Sequence, residues 1–596
     1  MIWRLHPPKF SERKFWRLKP KAPEDFIKQF PEYSPLVLQL LYNRGLKTQP
    51  QIDEFFNSDY EQDLHDPFLF KGMKKAVSRI LKAVKKQEKI IVYGDYDADG
   101  VCSSAILMDA LQKIGAQNLA IYIPDRNKEG HGLHLKAVKN LAKQGGQLII
   151  TLDCGITGFE AAESANSSGI DVIIADHHRP LEKLPKAKAV IDPHQPADKY
   201  PFKELAGAGV AFKLAQALLS RGAGVPEGIE KWFLDLVALA TIADVMPLIG
   251  ENRTLVKYGL GVLAQTKRIG LQELMKAVRL NPLVSQPSFN GEPPLTNLDS
   301  YTLAYILAPR INVASRLDHA NTAYQLLMTQ SKKEAEEIAR QLDILNRQRQ
   351  EITDKIVKEI EKRLDGKDKI DKIIFEGDAH WPLGMVGLAA SKITEKYHRP
   401  SFIFNLAKEK AHGSWRSIPD FNIMAAISKT ADLMEGFGGH PGAAGCVILE
   451  KNLELFKKKI LTIADKQLKE EDLKPILEID TRLFPEEISF KNYDQIQSFA
   501  PFGQNNQEPK FLIQSLEIRD LRVVGNNGKH LKLEFLIPEQ EGKLLRRLKA
   551  IGFGLGEKGE KLKVGDKIDL VFKFIIDEWN GTRDLQMKVV DLRMSS

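Results

Sequence analysis

Cysteine is scarce in this sequence: Cys102, Cys154 and Cys446 are the only three in 596 residues, and none lies near another. That excludes a disulfide framework and a cysteine-rich zinc finger, and it suits a reducing cytoplasm. Long apolar runs are missing as well. No stretch approaches the ~20 residues that a membrane helix needs. The amino-terminal stretch MIWRLHPPKFSERKFWRLKP has basic residues but no apolar segment of a secretory signal. A cytoplasmic protein with no membrane partner is therefore expected. Nor is there a large excess of charge, since 86 Lys plus Arg stand against 78 Asp plus Glu for a net +8. An excess this small permits a nucleic-acid partner without demanding one, because what matters is where positive charge collects.

What is present is a globular composition, 43% hydrophobic and 28% charged. The length predicts three or four domains at roughly 100–200 residues each. The first 75 residues are rich in aromatic and basic side chains and show no usable periodicity. From Lys89 a pattern emerges: KIIVYGDYDADGV reads as an apolar strand entering an acidic turn, and CSSAILMDALQKIG as a helix ending at Gly115. NLAIYIP, QLIITLDCG, DVIIADHH and AKAVIDPH continue the alternation, with helical stretches between them. Short apolar runs separated by helices predict a parallel sheet covered on both faces. Ligands of such sheets bind outside the carboxyl ends of the strands.

Residues 205–275 read as helical, and Ser331–Gly366 as one long charged helix with Glu336/Arg340, Glu351/Lys355 and Glu359/Arg363 as i,i+4 pairs. We expect this helix to space two domains. A second α/β unit begins near Lys369, with KIIFEG, SFIFNLA, AHGSWRSI and GFGGHPGAAGCVIL. The last ~120 residues alternate with period two between Gly, Asn and Pro turns, WNGT being a hairpin signal, and predict a small barrel of the oligonucleotide-binding (OB) type. The expected architecture is multidomain α/β. Its parts are an amino-terminal segment (1–75), a parallel-sheet domain (76–275), a helical connection with the long helix (276–366), a second α/β domain (367–465) and an OB-like barrel (466–596).

Four strand or helix ends carry the chemistry. YGDYDADG offers Asp95, Asp97 and Asp99; TLDCG offers Asp153; IADHH offers Asp176, His177 and His178; and TIADVMPL offers Asp244. Carboxylates crowded this closely repel one another unless a cation neutralises them. Oxygen donors with one or two imidazoles suit Mn²⁺ or Mg²⁺ better than zinc. Such a cluster can hold two ions bridged by a carboxylate and a water, an arrangement suited to phosphoester or phosphoanhydride hydrolysis.

The order YGDYDADG, LDCG, ADHH and ATIADVMPL resembles the DHH phosphoesterase superfamily. IPDRNKEGHGL, LAPRINVASRLDHA, GSWRSI, GFGGHPGAAG and FAPFGQNNQEPKF extend the resemblance to its RecJ family of single-strand-specific exonucleases, over roughly residues 40–596. Two positions depart from that pattern: Pro382 stands where the family has histidine, and Ser315 where it commonly has glycine. The resemblance implies a two-metal 5′-to-3′ exonuclease of single-stranded DNA that releases 5′-mononucleotides in DNA repair and recombination. It implies Asp97, Asp99, Asp153, His177 and Asp244 as ligands of two Mn²⁺ or Mg²⁺ ions, with Asp153 bridging. Asp95 and Asp176 would be outer ligands or orient the histidines, and His178 would lie near the scissile phosphate. Arg126, Arg310, Arg316, Arg416 and Ser414 would hold a 5′-phosphate, aided by Gly438, Gly439 and His440. A helicase and a single-strand-binding protein are the implied protein partners. In the barrel, His530, Phe535, Arg546, Arg547, Lys549, Phe553 and Trp579 are candidates for contacting a strand, although a β-barrel core would contain Phe and Trp anyway. Two other readings stand beside this one: a DHH phosphodiesterase of short oligonucleotides or cyclic dinucleotides, and a non-catalytic single-strand-binding scaffold.

Overall fold

The computed structural model describes residues 14–283, 296–367, 370–407, 409–538, 545–579 and 582–595. Its centre is a five-stranded parallel sheet in the order Leu119–Tyr122, Ile90–Gly94, Leu148–Leu152, Asp171–Ala175, Ala189–Ile191. The inner strands are mostly apolar and buried along almost their whole length because both faces are covered. Ile90, Val92 and Ile150 pack against the helices Ala98–Lys113 and Gly207–Leu219. Ile91, Tyr93 and Ile149 pack on the other side against Leu135–Lys143 and Phe159–Ser167. Residues Leu298 to Leu327, expected to belong to a connection, contribute Leu303, Leu307, Ile311 and Leu326 to this same core.

The long helix runs Lys332–Asp365, 34 residues or roughly 50 Å, and starts at Ser331, whose hydroxyl accepts from the Glu334 amide. Its first turns bury Ala335, Ile338 and Leu342 in the core of the parallel-sheet domain, and its last bury Ile356, Val357 and Ile360 under the second domain. It is a spacer with each end anchored in a different core. The expected Glu359/Arg363 pair is not made. Arg363 instead binds Asp378 at 2.6 Å, and Glu359 accepts from the Trp381 indole at 2.8 Å, so both side chains hold the second domain.

That domain has a five-stranded sheet ordered Met434–His440, Ala443–Leu449, Lys410–Arg416, Ser401–Ala407, Ile374–Asp378. The carboxyl-terminal barrel is formed by Phe511–Val524, His530–Pro538, Leu545–Gly552, Thr582–Met594 and Lys567–Trp579, in that spatial order. Pairing of the last with the first closes it. The strands flanking WNGT pair up to Trp579 and Thr582; Asn580, Gly581 and the Trp579 side chain lie outside the described residues.

The amino-terminal segment is helical where no periodicity was legible. Helices Glu24–Gln29, Pro35–Asn43 and Gln49–Phe56 bury Phe26, Leu40, Leu41 and Phe55 in one core with Phe499, Phe511 and Ile513 of the carboxyl-terminal domain. Strand Phe15–Leu18 pairs in parallel with Ile476–Ile479. Among the described residues no helix is long and apolar enough to cross a membrane.

Candidate metal centre and phosphate pocket

The carboxyl ends of the sheet strands gather the predicted acids. Asp97 caps the helix Ala98–Lys113, its Oδ1 accepting from the amides of Asp99 (3.0 Å) and Gly100 (3.1 Å). Asp99 in turn accepts from Gly207 and Ala208, both at 2.7 Å, at the start of the helix Gly207–Leu219. Asp153 follows its strand at φ 58°, a left-handed conformation that aspartate tolerates. Position 207 must be glycine, since a Cβ there would lie 2.7–2.9 Å from the Asp153 side chain.

His177 stands at the middle. Its Nδ1 lies 3.1 Å from the Leu205 carbonyl, which fixes the proton on Nδ1 and frees the Nε2 lone pair. Nε2 is 3.1 Å from Asp153, 3.7 Å from Asp244 and 3.8 Å from Asp99. Asp176 is fully buried, and both its oxygens accept hydrogen bonds from the protein. Its Oδ1 accepts from the His177 amide and from the His178 Nδ1, each at 2.8 Å, and its Oδ2 accepts from Ile156. Against the cost of burial, the His178 hydrogen bond and charge hold its carboxyl well below the usual range. His178 is thereby oriented, with a partly exposed ring.

Three sets of side chains converge closely enough to hold an ion: Asp95, Asp97 and Asp153; Asp99, His177 and Asp244; and Asp153, His177 and His178. The residues fit divalent cations on a second ground. Burial, opposed by His177 and reinforced by Asp97, pushes Asp99 up to about 6. Burial followed by the Asp99 charge pushes Asp244 up to about 8. Asp95 Oδ1 is buried without a hydrogen-bond partner. A cluster of carboxylates this unfavourable by itself is what a cation would relieve.

Sequence reasoning did not single out His131, whose Nδ1 is 3.2 Å from Asp95 Oδ2 and whose ring faces His178 at 5.0 Å. It sits in IPDRNKEGHGL, the motif that also supplied Arg126. Asn312 was missed too; its Oδ1 accepts from the Ala98 amide at 2.8 Å and so ties PRINVASR to the turn bearing Asp97 and Asp99.

At the seam with the second domain, guanidinium groups collect. Arg126 lies over the Tyr96 ring at 4.8 Å, and Arg316 donates to the Gly384 carbonyl at 2.9 Å. Arg416 donates to the Trp415 carbonyl at 2.8 Å and to Ser414 Oγ at 3.3 Å. Gly387 makes room for this pair, since a Cβ there would lie 2.8 Å from Ser414 Oγ. Burial, then the charges of Arg126, Arg349 and Arg416, push Arg316 down to about 9. Arg310 stands at the edge of this cluster. Its Nε and one terminal nitrogen bind Asp343 at 3.0 and 2.8 Å, and its charge, after burial, pushes Arg349 down. Arg349 of the long helix, not foreseen, bears in turn on Arg316, and its Nε is buried without a partner. Gly438, Gly439 and His440 lie on the exposed edge strand Met434–His440. Burial pushes His440 down, and the charges of His178 and His177 push the same way.

In the barrel, Phe535 is buried and Lys549 pairs with Asp584, so neither presents a free contact. Arg547 pairs with Glu534, and Arg546 donates to the Ile488 carbonyl. Phe553 is 49% exposed, with the His530 ring at 5.4 Å and the Lys588 ammonium at 5.8 Å.

A parallel sheet with acids and histidines at its carboxyl end, joined by a long helix to a second α/β domain, defines the DHH class of fold. Family models agree: "DHH family, N-terminal domain" matches residues 89–241, "DHHA1 domain" 370–466 and "RecJ OB domain" 479–591. The chain is 37% identical over 585 residues to the single-stranded-DNA-specific exonuclease RecJ of Bacillus subtilis, covering 97% of this chain and 71% of that protein. It is 31% identical over 578 residues to that of Escherichia coli, covering 93% and 95%. The crystal structure of RecJ in complex with Mn²⁺ from Thermus thermophilus superposes with a TM-score of 0.80 at 28% identity, covering 98% of this chain and 80% of that one. Its counterpart with Mg²⁺ gives 0.73 at 27% identity, covering 98% and 79%. The chain belongs to the RecJ family.

Proposed function

We propose that this chain is a two-metal-dependent exonuclease that degrades single-stranded DNA from the 5′ end to 5′-mononucleotides, in DNA repair and recombination. The observation that carries this reading is the pairing of an acid cluster having Asp153 in two of its three ligand sets with an arginine pocket at the domain seam. Divalent ions, when bound, lower the pKa of a coordinated water and neutralise charge on the phosphate.

The residues do the rest. Asp97, Asp99, Asp153, His177 and Asp244 are assigned as ligands, with Asp153 as the bridge. Asp95 and His131 flank them, and Asp176 orients His178 toward the scissile phosphate. Polarity cannot come from the acids, which accept any phosphodiester laid across them. It comes from a pocket that ends the strand, assigned to Arg126, Arg316, Arg416 and Ser414, with Arg349 beside them. Planar guanidinium forks suit a terminal phosphate. Gly438, Gly439 and His440 would line the opposite wall of the cleft. A helicase and a single-strand-binding protein are the proposed partners, because such an enzyme needs unpaired strand.

The test is end-labelled single- and double-stranded DNA incubated with Mn²⁺, Mg²⁺ or chelator. Metal-dependent release of mononucleotides from the 5′ end of single strands only is expected. Faster cleavage of dinucleotides than of long strands would favour the short-oligonucleotide reading, and binding without cleavage the scaffold.

The pocket has its own test. Each charge-assisted contact contributes roughly 1.5–3 kcal/mol, so Arg416→Ala should lose about 10- to 100-fold in kcat/KM on 5′-phosphorylated strands. Strands with a 5′-hydroxyl should lose far less. Equal losses on both substrates would place Arg416 elsewhere along the strand.

A further inference from the structure

Asp244 does not sit on the rigid sheet. It ends the helix Leu234–Ala243, and the chain then crosses a short loop to the helix Gly250–Ala264. Val245, beside the ligand, has φ 57° and is 66% exposed. For a β-branched residue that conformation is unfavourable and persists only where the surroundings fix it.

Part of what fixes it comes from the carboxyl-terminal domain. The Leu248 amide donates to the Gln504 carbonyl at 2.9 Å. Gly503 lies against Leu248 so closely that a Cβ there would be 2.7 Å from its Cδ1. Five residues further on, Arg253 is 1% exposed and its hydrogen-bond acceptors are all carbonyl oxygens. It donates to Phe55 (2.8 Å), Phe499 (2.9 Å) and Ala500 (2.8 Å), and its guanidinium lies 3.8 Å from the centre of the Phe55 ring. A buried guanidinium satisfied by carbonyls of two other segments locks those segments to the helix that carries it.

From this geometry we infer that Arg253 and the turn at Gly503–Gln504 are positioning residues for Asp244: the carboxyl-terminal domain sets the shape of one metal ligand's loop as well as holding DNA. The inference rests on the metal reading above. It gives the FAPFGQNNQ segment a role in metal affinity that barrel-to-strand contact does not require.

The experiment titrates Mn²⁺ into the full-length protein by calorimetry, without DNA, for wild type, Gly503→Ala, Arg253→Lys and Arg44→Lys. Gly503 has no positive φ, so alanine strains no backbone there and acts only by pushing on Leu248. Arg44 is the control. It binds Asn506, Gln507 and the Leu40 carbonyl in the same junction and makes no hydrogen bond to the Asp244 loop. Because groups that orient ligands typically alter metal affinity 10- to 100-fold, Gly503→Ala and Arg253→Lys should each weaken Mn²⁺ binding by about tenfold or more. Saturating Mn²⁺ should restore kcat to within about twofold, and Arg44→Lys should bind Mn²⁺ as wild type does. Unchanged affinity in both test variants, or equal weakening in Arg44→Lys, would overturn the coupling. Asp244→Ala, titrated alongside, separates the two readings. If it too binds Mn²⁺ normally, Asp244 is no ligand and the metal assignment fails, taking the coupling with it.

Discussion

Asp153→Ala is expected to lower exonuclease turnover by at least about 100-fold, the usual loss when a site group acting on the transition state is removed, while single-strand binding persists. Asp153 is common to two of the three ligand sets, so no neighbour replaces it. The fold should tolerate the change. Burial first, then the charges of Asp99, Asp97, Asp95 and Asp244, push its carboxyl well above the ordinary value. A carboxyl whose folded pKa exceeds its unfolded value, about 4, weakens the fold increasingly as pH rises above that value. Alanine removes the repulsion. In chelator at neutral pH the lost repulsion should offset the strain of alanine at φ 58°, so the variant should melt close to wild type, whereas added Mn²⁺ should stabilise wild type more than the variant. More than about a tenth of wild-type activity in the variant would sink the bridging role.

The acids were legible because each follows an apolar run that could only be a buried strand or helix, and open parallel sheets bind at those ends. The arginines were less so. Arg310 and Arg316 share one helix, Ala308–Leu317, but six residues at about 100° each set them on different faces. Only Arg316 turns to the seam; Arg310 turns to Asp343. That separation was readable in the spacing. Arg349 was not, because it lies in a helix of alternating charges, where one basic residue resembles the next until the second domain is in place.

The same contrast governs the fold. The catalytic sheet could be read because its strands are close in sequence and mostly apolar, and the barrel because its strands alternate and its turns are marked. The amino-terminal helices, six to nine residues long, are too short for a periodic pattern to stand out. They also bury their apolar faces against residues more than 400 positions away. A sequence window cannot show a core whose other half lies at the opposite end of the chain.

That shared core makes truncation after residue 468 more damaging than the loss of a DNA-binding accessory. Residues 1–468 retain Phe26, Phe30, Leu40, Leu41, Ile52 and Phe55 but lose the side chains they pack against, and Phe15–Leu18 loses its partner strand. Exposing six large apolar side chains at roughly 1.5–3 kcal/mol each costs about 10 kcal/mol or more, comparable to the whole stability of a typical domain. Residues 1–468 should therefore aggregate, or expose residues 20–56 to proteolysis. Residues 58–468 lack both halves of that core and should stay monodisperse, because the catalytic core is a separate cluster. Affinity of 58–468 for long single strands should fall by about tenfold or more, with a shallower salt dependence, as the barrel's cations are lost. Its Mn²⁺ affinity should fall as well, since Arg253 and Leu248 lose their carbonyl partners at Phe499, Ala500 and Gln504. Protection of residues 20–56 in the 1–468 chain equal to that in the full chain would show that the amino-terminal helices form their own core, against the packing described above.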